Sequence, residues 1–197
     1  RMTEAFNFRF GEFQTRVLFV ESLDFPSEAL LVFDRNVHRL HGRGFAGVVL
    51  SSGETVKSWK AVERIMRRAL SAWLGRDGRI VGVGGGVVCD ITAFAASVYM
   101  RGCRLTLVPT TLLAMVDAAL GGKSAINLGG AKNLAGTFYP AEELRICIPL
   151  LKTLPERELK SGLAEAIKTA LIGDQALLEL LTRKREQILG REPAVLE

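Results

Sequence analysis

Arg79 to Val83 (RIVGV) is a short, β-branched, apolar run that feeds directly into Gly84, Gly85 and Gly86, after which Val87 to Tyr99 carries a helical pattern. A buried strand, a glycine turn and a helix in that order confine the chain to a layered α/β fold. They also present the first backbone N–H groups of the helix to an anion. The glycine turn does not stand alone. Between Gly84 and Asn133 the chain also carries Arg101-Gly102, Pro109-Thr110-Thr111, Gly121-Gly122-Lys123 and Lys132-Asn133, separated by apolar runs.

Further β-rich runs at Arg16 to Val20, Ala29 to Phe33, Gly47 to Leu50 and Arg104 to Val108 alternate with helical patterns. Strands separated by helices imply an α/β, Rossmann-like architecture: a largely parallel sheet with flanking helices. The clearest helix is Ser58 to Trp73, whose apolar positions Val62, Ile65, Met66, Ala69, Leu70 and Trp73 form one stripe, with Gly75 as its stop signal. After Pro149 the texture changes. Leu154 to Ile172 and Gln175 to Leu189 are helical with no strand between them, and Glu192 to Glu197 starts another possible helix. The expected division is an α/β domain over residues 1–150 and the beginning of an all-helical domain over 151–197. Two helices and a stub cannot bury a core of their own, so the expectation is the front part of a longer protein or a partner that supplies the remainder. Arg1 ahead of Met2 reads as a processing scar.

Charge narrows the function classes. The 26 Lys and Arg against 21 Asp and Glu give +5, but the basic residues are scattered, without runs or interleaved aromatics. This disfavours nucleic acid and suits a small anionic ligand. Arg64, Arg67 and Arg68 lie opposite the apolar stripe of their helix, as a solvated face does. Cys89, Cys103 and Cys147 are far apart in apolar segments and read as buried free thiols. No uninterrupted apolar stretch is long enough to span a membrane, and no signal pattern opens the chain, so a cytoplasmic protein with no membrane partner is expected.

Each candidate site residue has an ordinary alternative. Gly82-Val83-Gly84-Gly85-Gly86 resembles a dinucleotide turn but lacks the strict spacing, because Val87 replaces the last glycine, and a plain tight turn would use the same residues. Asp90 in an apolar segment needs a partner, either a ligand hydroxyl or a protein donor. Thr110 and Thr111 emerge at a strand end, where ligands sit in open sheets, although Thr110 could simply cap a helix through Met115. Asp117, Lys123, Lys132 and Asn133 sit beside glycines, as both anion-binding and ordinary surface loops allow. Arg101 is an anion clamp or a turn residue. Ser161, Glu165 and Lys168 share a helical face, and on spacing alone Glu165 with Lys168 is a surface ion pair.

Taken together and in order, GGGVVCD (Gly84 to Asp90), YMRG (Tyr99 to Gly102), VPTTLLAMVDAALGGKSAIN (Val108 to Asn127), KN (Lys132, Asn133) and SGLAEAIK (Ser161 to Lys168) resemble the 3-dehydroquinate synthases, over about Asp34 to Asp174. The resemblance implies NAD- and metal-dependent cyclisation of 3-deoxy-D-arabino-heptulosonate 7-phosphate to 3-dehydroquinate with loss of phosphate, in a homodimer. It implies NAD contacts from Asp34, Asn36, Glu54, Lys57, Gly85, Gly86, Val87, Asp90, Thr110, Thr111, Lys132 and the Leu150 to Thr153 segment. Substrate contacts would be Arg101, Asp117, Lys123, Asn133 and Lys168, with Arg101 reaching a neighbouring subunit's site. Glu165 would be one ligand of a divalent metal, zinc before cobalt, whose two histidines belong to a segment this chain does not contain. Two departures affect loop geometry: Cys89 replaces a glycine of the family pattern, and Gly129-Gly130-Ala131 replaces a Pro-Leu-Gly. The alternatives are an inosose- or valiolone-type sugar-phosphate cyclase, a metal-dependent polyol dehydrogenase, or a non-catalytic NAD-binding module.

Overall fold

The computed structural model describes residues 2–196. Two antiparallel strands open it, β1 (Met2–Phe10) and β2 (Phe13–Val20), turning through Gly11 at φ 58°. Then come β3 (Leu30–Asp34), α1 (Arg35–His41), β4 (Val48–Leu50), α2 (Trp59–Ser71), β5 (Arg79–Gly84), α3 (Gly86–Val98) and β6 (Arg104–Pro109). A hairpin of β7 (Lys123–Leu128) and β8 (Ala131–Phe138) precedes β9 (Glu143–Ile146). Four helices follow: α4 (Glu156–Gly173), α5 (Gln175–Arg183), α6 (Arg185–Leu189) and α7 (Pro193–Leu196).

The main sheet has seven strands in the order β1-β2-β9-β6-β5-β3-β4, parallel except for the β1–β2 pair. From β3 the chain passes outward to β4, then returns to β5 on the other side of β3. The direction of winding therefore reverses between β3 and β5, and their C-terminal ends diverge into a crevice. Alternation along the strands builds a core on each face. Leu30, Val32 and Ile80 pack with Val62, Ile65, Ile91 and Ala95 of α2 and α3, while Leu31, Phe33, Val81 and Val83 pack with Val108, Cys147 and Leu150 on the opposite face. Gly82 is required by the first face: a Cβ there would lie 2.9 Å from Thr92 of α3.

Several expectations need correction. Strand signals were strongest where both faces are buried, so β3, β5 and β6 match their apolar runs within a residue. β2 begins at Phe13, ahead of the expected Arg16, because Phe13 and Gln14 are exposed and the buried Thr15 is polar, so no apolar run marks the start. The hairpin β7–β8 and strand β9 had no strand expectation. β8 is exposed at nearly every position, and the Gly129-Gly130 pair just before it imitates a loop. The α2 helix ends before Gly75, at Ser71, with Trp73 in the left-handed region at φ 54°. Arg64 and Arg67 lie on its exposed face as expected, with Arg67 bonded to Glu63. The expected Gln175–Leu189 helix is divided at Lys184 into α5 and α6. The last expected helix is α7, and Glu197 lies outside the described residues. All three cysteines are free and buried.

Two contacts fix the outer elements. Glu143 on β9 is buried and accepts hydrogen bonds from Arg16 of β2 and Arg145, each at 2.5 Å. Burial pushes the carboxyl up, but the two guanidinium hydrogen bonds and charges outweigh it and hold it below its ordinary 4.5. The other is Gly162 on α4, where a Cβ would come within 2.6 Å of both Leu112 Cβ and the Leu113 amide. The helix rests directly on that backbone.

Because the folded carboxyl of Glu143 titrates below the unfolded one, its contribution is complete above the unfolded value and is lost as pH falls through the folded value. Glu143→Gln is therefore expected to cost about 1–3 kcal/mol at neutral pH, with the gap to wild type closing in urea titrations as pH falls through the lowered folded value. Gly162→Ala is expected to cost about 1–3 kcal/mol, read as a lower urea midpoint, because neither the helix nor the Leu112–Leu113 backbone can yield.

Candidate functional site

A cavity of about 610 Å³ opens in the crevice between the ends of β3 and β5. Strand ends supply its polar wall. Asp34 closes β3, Ser52 and Gly53 follow β4, Gly85 and Gly86 follow β5, and Thr110 and Thr111 follow β6. Leu40, Leu113, Leu150 and Leu154 give it an apolar rim.

The α3 helix begins at this cavity. Its first intrahelical bond runs from Cys89 N–H to Gly85 O at 3.0 Å, so the amides of Gly86, Val87 and Val88 precede any intrahelical acceptor. With the positive end of the helix dipole they form an anion-binding terminus. The glycines keep it open, since a Cβ at Gly85 would lie 3.1 Å from Thr111 Cγ2 and one at Gly86 3.3 Å from Ala118 Cβ. Cys89 turns inward and donates to Gly84 O at 3.6 Å, and burial raises its thiol well above the ordinary range, so it is a structural thiol. Thr111, not Thr110, caps the next helical turn, accepting from Ala114 N–H at 3.2 Å. Thr110 is buried, with its amide bonded to Gly84 O. That turn widens into a π-helical stretch over Ala114–Ala118, a geometry frequent at functional sites.

At the other end of the cavity, Asp34 Oδ1 caps α1 by accepting from Asn36 N at 2.7 Å and Val37 N at 3.3 Å, and also accepts from Ser52 Oγ at 3.0 Å. Asn36 Nδ2 donates to the same Ser52 oxygen. His41, which sequence reading did not select, lines the cavity and shares a 2.6 Å hydrogen bond with Thr153 Oγ1, joining α1 to the Ile148–Thr153 turn. Partial burial lowers its imidazole from the ordinary value.

The cavity floor carries a buried ion pair. Lys57 is almost fully buried, and its Nζ donates to both Asp90 Oδ2 and Asn133 Oδ1. Desolvation raises the Asp90 carboxyl above its ordinary value, against the opposing hydrogen bond and charge of Lys57. Glu54 does not pair with Lys57. Its Oε1 accepts from Asn127 Nδ2 at 2.9 Å, a contact the sequence reading passed over because Asn127 sits inside what seemed a glycine-rich loop.

The remaining candidates fall outside this cavity. Lys132 is exposed on β8, while its neighbour Asn133 turns toward Lys57, as residues on successive strand positions do. Arg101 is exposed at the C-terminal end of α3, the end opposite the cavity, in a turn where Met100 and Arg101 both have positive φ. Asp117 and Lys123 face each other at 4.0 Å beside the π turn. Glu165 bonds Lys168, the surface pair that spacing alone favoured, and this bond raises the Lys168 ammonium above its ordinary value, with a further contribution from Asp117. The α4 face thus looks toward the π turn. Among the described residues no cluster of three or more His, Cys, Asp or Glu could hold a metal, so this set alone does not fit one. No described helix is long and apolar enough to cross a membrane.

A family model described as 3-dehydroquinate synthase N-terminal matches residues 47–161. Among curated proteins, the chain is 47% identical over 149 residues to the 3-dehydroquinate synthase of Acidithiobacillus ferrooxidans, covering 76% of this chain and 41% of that protein. It is 40% identical over 175 residues to that of Alkaliphilus metalliredigens, covering 84% and 49%. The chain thus spans about half the length of the curated relatives it matches. Among solved structures, a 2-epi-5-epi-valiolone synthase from Streptomyces hygroscopicus subsp. jinggangensis with NAD+ and Zn2+ bound superposes with a TM-score of 0.82 at 29% identity, over 95% of this chain and 58% of that one. A 2-deoxy-scyllo-inosose synthase complexed with carbaglucose-6-phosphate, NAD+ and Co2+ gives 0.73 at 29% identity, over 84% and 50%.

Lys57→Met is expected to strand the Asp90 carboxyl and cost about 3–5 kcal/mol, measured by urea denaturation. Lys57→Met with Asp90→Leu should recover part of that loss, since no unpaired charge is left in the interior.

Proposed function

Because the chain belongs to the 3-dehydroquinate synthase family, we propose that the crevice cavity is the NAD-binding wall of an enzyme converting 3-deoxy-D-arabino-heptulosonate 7-phosphate to 3-dehydroquinate and phosphate. The observation that carries this reading is the meeting, at the switch point between β3 and β5, of a glycine-opened helix terminus with the Lys57–Asp90 pair. The cradle suits a dinucleotide: Gly85 and Gly86 line the cavity beside the unbonded amides, and a Cβ at either would crowd Thr111 or Ala118.

In this reading the amides of Gly86 and Val87 hold the pyrophosphate, with Gly85 giving it room. Asp34, Asn36 and the turn from Leu150 to Thr153 flank the adenosine. Glu54, Lys57 and Asp90 set the ribose hydroxyls, and Thr110 and Thr111 close the far side, with Lys132 contributing charge from outside. NAD supplies reversible oxidation of a secondary alcohol of the substrate. The protein's part is to hold, orient and keep dry. The leucine rim excludes water, and the buried Lys57 ammonium keeps Asp90 in place.

The substrate side runs through Asp117, Lys123, Asn133 and Lys168, three of them cationic or amide groups suited to a phosphate and a carboxylate. Arg101 serves a neighbouring subunit of a homodimer. Its exposed position beyond the far end of α3, outside its own cavity, supports this. Glu165 is the one carboxylate offered to a divalent metal such as zinc or cobalt. The described residues do not complete that site, and no step is derived through it. The segment 151–197 is read as the start of the helical domain facing the cavity, and the protein as cytoplasmic.

Calorimetry on this chain is expected to show NAD binding. Gly85→Leu, which fills the cradle, should weaken it at least about tenfold, roughly 1.4 kcal/mol or more, with an unchanged circular dichroism spectrum. The chain alone is expected to release no phosphate from the sugar phosphate. Absence of NAD binding at millimolar cofactor would refute the reading of the cavity.

A further inference from the structure

The β7–β8 hairpin is irregular at one place only along its ladder: the register slips between Ile126 and Leu128, where Ile126 faces Ala135 but Leu128 faces Ala131. Asn127 is the residue across from this bulge. Bulges near sites re-aim side chains, and this one places Asn133 in the left-handed region, at φ 56°, with its side chain on the Lys57 ammonium.

Three hydrogen bonds converge on Asn127. Its backbone N–H donates to Lys57 O at 2.9 Å, its Nδ2 donates to Glu54 Oε1 at 2.9 Å, and its Oδ1 accepts from Asn133 N–H at 3.0 Å. These partners fix the amide orientation without ambiguity, since a backbone N–H needs an acceptor and a carboxylate needs a donor. Only a carboxamide of this length satisfies both. Aspartate would set a second carboxylate against Glu54, and glutamine would be a methylene too long.

We propose that Asn127 is a positioning residue of the cavity. It locks the Glu54–Lys57 turn to the hairpin bulge, so that Glu54 keeps its place on the cavity wall and Asn133 stays in reach of the Lys57 ammonium beside Asp90. Asn127 itself does not line the cavity. The inference rests on the NAD reading of that cavity for its ligand, and on the hydrogen bonds alone for its geometry.

The test compares Asn127→Ala, Asn127→Asp and Ser124→Ala in the whole chain. Ser124 is the comparator: it is buried in the same hairpin and its hydroxyl donates to Thr137 O at 2.8 Å, at the end of the ladder away from Asn133. Two quantities are read, the NAD dissociation constant by calorimetry and the hydrogen-exchange rate of the Asn133 amide in the ligand-free chain. Asn127→Ala is expected to weaken NAD about tenfold and to speed Asn133 exchange by about tenfold. Asn127→Asp keeps the acceptor, so slow exchange should survive while NAD binding weakens. Ser124→Ala should lower the melting temperature yet leave the NAD constant within about twofold. An unchanged Asn133 exchange rate in Asn127→Ala overturns the proposal, as does equal loss of NAD affinity in Ser124→Ala. A wild-type chain that fails to bind NAD sinks the reading of the cavity instead, and the exchange rates still decide whether Asn127 holds the bulge.

Discussion

A single ammonium group, that of Lys57, holds the candidate site together. It is buried under the crevice, and burying a lone cation in protein is costly unless the charge is paired and its hydrogens are accepted. Asp90 of α3 supplies the charge and Asn133 of β8 a second acceptor. Three pieces of chain distant in sequence therefore have to meet: the turn after β4, the first turns of α3, and the hairpin bulge. The glycine cradle, the cavity floor and the hairpin cannot move independently without exposing that charge. The expense also runs through Asp90, whose carboxyl is raised by desolvation despite its cationic partner.

Close approach does the rest. Gly82 lets α3 lie against β5, Gly162 lets α4 lie on the backbone of Leu112 and Leu113, and Gly85 and Gly86 leave the helix terminus bare. These glycines serve two purposes that look alike in a sequence. The first two are packing residues, where a methyl group would collide with a neighbouring element. The last two line the cavity itself, and a methyl group there would also crowd Thr111 or Ala118. Together they bring the π turn, with Asp117, under the α4 face that carries Glu165 and Lys168.

Legibility followed burial. Strands β3, β5 and β6 are covered on both faces over most of their length, so their central residues are largely apolar and their runs are visible. The exposed β8 and the short β9 lack that signature, and the Gly121-Gly122 and Gly129-Gly130 pairs that flank β7 imitate a loop. The same blindness hid Asn127, whose role depends on a register slip that no local pattern encodes. Thr110 and Thr111 are equivalent as a dipeptide. Which one caps is decided by the direction in which the chain leaves β6, with Thr110 already tied to Gly84. Among charged residues, Glu165 and Lys168 followed their helical spacing. Lys57 was expected only as a ligand contact, and its side chain spans the fold to Asp90 and Asn133.

By itself the sequence determined the α/β layering, the glycine turn ahead of α3 and the family resemblance, because each rests on residues close together in the chain: periodicity, backbone permissiveness and short motifs. Tertiary structure decided which of those residues share one cavity. It placed Asp34, Asp90 and Thr111 around the reversal between β3 and β5, left Lys132 and Arg101 outside, and brought Asn127 in behind Glu54. The physical reason is that winding order and strand register set these distances, and both are fixed by the burial of whole faces of the sheet, not by any single stretch of chain.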